Sequence, residues 1–74
     1  MAHNHSKQPA QAKFDQPIPL LGLHRQRLGV VRCCNLALVE GRIIELALET
    51  RWQTIQLDAS RVRYDAKEQV FVLR

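Results

Sequence analysis

The chain has 74 residues, a net charge of +4 at pH 7 and an apolar fraction of 46%, which bounds it to one small domain with too much apolar content for a disordered polymer. No apolar run approaches the roughly 18 residues of a membrane span. The opening MAHNHSKQPAQAK has none of the apolar core of a secretory signal, so a cytoplasmic protein is expected.

Residues 1–19 are polar, carry Pro9, Pro17 and Pro19 and show no hydrophobic periodicity. They read as a flexible N-terminal tail, mobile over residues 1–13, that enters the fold through an extended Pro17-Ile18-Pro19 segment. The folded domain is expected over residues 20–74. Leu20-Leu21 suggests a first strand, the Gly22–Gly29 stretch a polar turn, and Leu28 with Val30-Val31 a second strand that runs on through Leu36-Ala37-Leu38-Val39. Glu40-Gly41-Arg42 is a turn signal. After it Ile44, Leu46 and Leu48 alternate with Glu45, Ala47 and Glu49, the period of a strand. A helix competes over residues 36–50, because Leu36, Val39, Ile43, Leu46 and Thr50 also fall at three-four spacing. Gly41 in its interior would cost that helix about 1 kcal/mol, which favours the hairpin.

Trp52–Leu57 alternates again, with Ile55 and Leu57 on one face and Trp52, Thr54 and Gln56 on the other. Asp58-Ala59-Ser60 is a turn or a single helical turn, Val62 and Tyr64 resume an extended segment, and Asp65-Ala66-Lys67-Glu68 turns the chain into a last strand ending Val70-Phe71-Val72-Leu73. Four consecutive apolar residues fit a strand covered on both faces. Together these segments predict an all-β fold, a small five- to six-stranded antiparallel barrel or roll behind a disordered tail.

Charge is concentrated in LHRQRLGVVR, where Arg25, Arg27 and Arg32 account for most of the excess, while residues 33–74 hold six basic and six acidic side chains. The three arginines either solvate one end of the barrel or form one basic patch for an acidic protein, a phosphate backbone or anionic lipid. Cys33 and Cys34 are adjacent, a spacing that strains an intramolecular bridge, and they read as free thiols, one buried and one partly exposed. The histidines His3, His5 and His24 lie elsewhere and complete no metal-ligand pattern. No phosphate-binding loop, nucleophile elbow or Cys-x-x-Cys pair is present, and His24 has no visible base or nucleophile beside it. A non-enzyme without a cofactor is therefore expected.

The residues Gly22-Leu23-His24-Arg25-Gln26-Arg27-Leu28-Gly29-Val30-Val31, then Gly41-Arg42-Ile43-Ile44-Glu45-Leu46-Ala47-Leu48, then Arg61-Val62-Arg63-Tyr64-Asp65 and Val70-Phe71-Val72-Leu73, together resemble the PRC-barrel family. This is the small β-barrel of the photosynthetic reaction-centre H subunit and of a ribosome-maturation factor. The resemblance spans about residues 20–73. It departs at Asp58-Ala59, where the family often has Pro-Trp. It implies a docking or adaptor module and brings no active site with it.

Two functions follow as expectations. The first is a protein-binding adaptor that uses Arg25, Arg27 and Arg32 together with Arg51 and Trp52, since Trp and Arg dominate interface energetics. With so few aromatics in the chain, however, the role of main core aromatic is the slightly favoured one for Trp52. The second is nucleic-acid binding, with Arg25, Arg27, Arg32, Arg61 and Arg63 on phosphates, although base-stacking aromatics are few. A membrane-surface role is a weaker third reading. So small a core also leads to the expectation of a homodimer or a partner-bound state.

Overall fold

The computed structural model describes residues 10–37 and 40–74. Strand β1 (Ala10–Leu21) leads into β2 (Arg27–Ala37), β3 (Arg42–Glu49) and β4 (Thr54–Asp58). A single 3₁₀ turn (Ala59–Arg61) then leads to β5 (Val62–Asp65) and β6 (Val70–Leu73). These form one six-stranded sheet in the order β4-β3-β2-β1-β6-β5, curled into a half-barrel. The all-β roll expected from the alternation is what forms, and β2 and β3 make the hairpin rather than a helix. Leu38 and Val39 of that expected strand lie outside the described residues.

The domain boundary differs from the expected one. The first strand begins at Ala10, not near Leu20, so residues 10–19 belong to the sheet; residues 1–9 lie outside the described residues. Ala10, Ala12 and Phe14 are half-buried, while Gln11, Lys13 and Asp15 are exposed, which is strand alternation carried by small residues that contribute little to a hydrophobicity pattern. Ala10–Lys13 pair with Leu36–Cys33, and the register shifts before Ile18 resumes opposite Val31. Pro17 falls in that irregular stretch, where a missing amide donor breaks no ladder bond.

One strand pair also departs from the antiparallel expectation. The chain returns from β4 through the 3₁₀ turn and β5, so β6 arrives beside β1 in the same direction, Leu20 opposite Phe71 and Leu21 opposite Val72. It lies between β1 and β5, which explains the apolar run at its end: Phe71 and Val72 are both buried. The core joins Leu20, Val31, Cys34, Leu46, Leu48, Val62 and Phe71. Phe71 is its central aromatic, with Tyr64 edge-on at 5.3 Å and Phe14 tilted at 6.1 Å between ring centroids, separations at which aromatic pairs attract.

Two backbone details fix the turns. Gly41 adopts φ +67° with open space where a Cβ would lie, so its role is conformational. Gly29 is needed for proximity: a Cβ there would stand 2.2 Å from the carbonyl oxygen of Glu49, so β2 and β3 pass too closely for any side chain.

Candidate docking site

The β3–β4 connection is built on Thr50. Its hydroxyl donates to the Gln53 carbonyl at 2.9 Å and accepts from the amides of Trp52 at 3.2 Å and Gln53 at 3.1 Å, while the Thr50 amide donates to the same Gln53 carbonyl at 2.8 Å. A hydroxyl that satisfies its own turn frees the following side chains from structural duty. Arg51 and Trp52 project outward as a result. Trp52 is 83% exposed, which overturns its alternative role as the main core aromatic. Phe71 fills that role instead. The Arg51 guanidinium carbon lies 5.8 Å from the Trp52 ring centroid, within cation–π range.

The same turn faces the start of β2. Arg27, Leu28 and Gly29 line one open hollow with Arg51 and Trp52, because the close passage at Gly29 draws β2 against the end of β3. Three of the five expected site residues therefore meet: Arg27, Arg51 and Trp52. The hollow offers two guanidinium groups, an indole face and the apolar flank of Leu28.

The other two are engaged elsewhere. Arg25 sits at φ 65° in the turn after β1, held by its amide to the Gly22 carbonyl at 2.9 Å, and its Nη2 meets Glu68 Oε1 at 2.6 Å. Arg32 Nε meets Glu49 Oε1 at 2.9 Å. Both pairs are well exposed, so each is worth about 0–1 kcal/mol, yet each places a carboxylate beside a cation that the sequence suggested was free. The single patch of Arg25, Arg27 and Arg32 is thus divided. Thr50 was missed at the sequence level; its signal was the Thr-Arg-Trp-Gln-Thr run, a hydroxyl at the head of a short polar link.

Cys34, Cys33 and Asp58 are held within the fold by burial or local hydrogen bonds. Burial, and then the neighbouring Cys33, push the Cys34 thiol up, away from the thiolate that reactivity requires. Cys33 is half-buried and accepts from Gln11 Nε2 at 3.7 Å. Asp58 caps the 3₁₀ turn by accepting from the Ser60 hydroxyl at 2.7 Å and amide at 2.8 Å, and these bonds, ahead of Arg61 and Arg42 nearby, hold its carboxyl below the ordinary value. Among the described residues no three His, Cys, Asp or Glu side chains gather as metal ligands would, and no helix is long and apolar enough to cross a membrane. Neither a protein-family model nor a curated protein matches the chain.

Proposed function

We propose that this chain is a non-enzymatic docking module that receives an acidic segment of a partner protein at the Arg27–Arg51–Trp52 hollow. The observation that carries the reading is an 83% exposed tryptophan flanked by two arginines with no acidic partner among the described ion pairs. A large exposed indole costs solubility and adds nothing to the core, whereas as an interface anchor it combines rigid apolar area with low entropy loss. The arginines would steer a carboxylate-bearing partner and pair with it bidentately. Kinship with PRC-barrel modules is part of the same reading, supported by the glycines at 22, 29 and 41 and by the apolar last strand, and a cytoplasmic setting suits the two free thiols.

Nucleic acid is the second reading, because an indole beside arginines also stacks bases and binds phosphates. The two separate in one experiment. Affinity capture from native lysate, with and without nuclease, is compared for the wild type, Trp52→Ala and the Arg27→Ala/Arg51→Ala pair. Protein partners that survive nuclease and vanish with either variant support docking of a protein. Loss of all binding on nuclease treatment favours nucleic acid, and partners retained equally by every variant overturn the site.

A further inference from the structure

A curled sheet that does not close has two edges, and the protein treats them differently. The β5 edge is only four residues long and carries Arg63 and Asp65. The part of β1 that precedes its pairing with β6 carries Lys13, Asp15 and Pro17. Charges and prolines of this kind are how natural sheets prevent edge-to-edge pairing. The β4 edge, Thr54-Ile55-Gln56-Leu57-Asp58, has no such guard before Asp58. Among the described residues it pairs only with β3, and all of it except Leu57 is exposed. Ile55 is 36% exposed although it stands opposite the buried Leu48, on the sheet face that carries the core.

We propose that β4 is the interface of a homodimer, two copies joined antiparallel about a two-fold axis through Gln56. In that register Gln56 lies opposite Gln56 of the second copy, Ile55 opposite Leu57, and Thr54 opposite Asp58. Every opposed pair is compatible. The two apolar residues meet on the core-side face, so each copy covers the other's exposed Ile55. The lone carboxylate meets a hydroxyl rather than its own symmetry mate. A two-fold interface must be self-complementary, and a five-residue strand whose central residue is a neutral amide meets that condition. Cross-strand pairing of this kind also adds ladder hydrogen bonds along an edge left open in the single chain. The proposal stands independently of docking at Trp52, which lies just outside the paired strand. Should both hold, the two tryptophans would stand at opposite ends of the joint edge, each just before Thr54 of its own copy.

The register makes residue 56 face itself, and this provides the test. Sedimentation velocity on the full chain over a wide concentration range should show a reversible dimer. Gln56→Lys and Gln56→Glu should each weaken association about tenfold or more, because like charges meet across the axis. An equimolar mixture of the two should restore the dimer as a heterodimer. Gln56 is exposed on the single chain, and circular dichroism checks that both variants stay folded. Hydrogen exchange of the wild type is independent of any variant: β4 amides should gain protection as concentration rises. A wild type that is monomeric throughout, dimers undisturbed by either charge, failure of the mixture to associate, or concentration-dependent protection that spares β4 would each overturn the proposal.

Discussion

Replacing Gly29 with alanine probes the contact that positions both the sheet and the hollow. The added Cβ would stand 2.2 Å from the Glu49 carbonyl oxygen, 3.0 Å from its carbonyl carbon and 3.0 Å from Leu48 Cδ1. The first two are backbone atoms of β3 and cannot rotate aside. Restoring ordinary contact needs β2 and β3 to part by about 1 Å, which disrupts about two ladder hydrogen bonds at about 1 kcal/mol each and adds overpacking strain of about 1–2 kcal/mol. The expected loss is about 3–4 kcal/mol, a large part of what a domain of this size has, and a fall in Tm of about 10–30 °C. Urea and thermal melts should be followed by circular dichroism, since an indole already exposed in the native state reports unfolding poorly. Gly22→Ala is the control. The atoms nearest its Cβ would be those of the Gln26 side-chain amide, at 2.6–2.8 Å, and an exposed glutamine can rotate away at the cost of the bond it accepts from the His24 amide, so a loss of no more than about 1 kcal/mol is expected. A Gly29→Ala protein within about 0.5 kcal/mol of the wild type, or one more stable than Gly22→Ala, would refute the reasoning.

Three further outcomes are expected. Gln69 holds φ 59° in the β5–β6 turn, a conformation that costs a side chain about 1–2 kcal/mol, so Gln69→Gly should raise Tm by a few degrees; a lower Tm would mean that the Gln69 side chain contributes more than the strain it bears. Asp58 has a folded pKa held below its ordinary 3.8 by hydrogen bonds from Ser60. Its contribution to stability is therefore complete above that value and is lost as pH falls through the depressed one. Asp58→Asn, which keeps an acceptor oxygen but cannot titrate, should show less loss of stability in that acid window than the wild type, as measured by melts at a series of pH values; equal acid sensitivity would contradict the assignment. Arg25→Ala removes one exposed ion pair and should change stability by no more than about 1 kcal/mol, whereas a larger loss in a urea melt would show that the Arg25–Glu68 contact organises the turn.

What the sequence disclosed follows from how local each signal is. The β2–β3 hairpin was legible because Gly41 marks its turn and Ile44, Leu46 and Leu48 alternate beyond it, and β6 because Val70–Leu73 are apolar on both faces. The first half of β1 was not, since its alternation is written in alanines and bracketed by prolines that read as a linker. Trp52 was ambiguous because composition cannot say whether a sole tryptophan is core or anchor; Thr50, by closing its own turn, decides that. The fate of Arg25 and Arg32 was beyond reach for a different reason. Their partners lie 43 and 17 residues away, and only the strand order and register bring those charges together.

In the proposed docking mode Trp52, with Arg27 and Arg51, anchors an acidic partner at the surface. Trp52 is the chain's only tryptophan, so its fluorescence reports on that site alone. Titrating the folded protein with an acidic peptide of alternating Glu and Leu, at low and high salt, should shift the emission to shorter wavelength and shield the indole from acrylamide. The response should weaken as salt screens the arginines and vanish in the Arg27→Glu/Arg51→Glu pair. Native emission already as blue and as protected as that of a buried indole, or a peptide response indifferent to both salt and charge reversal, would contradict the account.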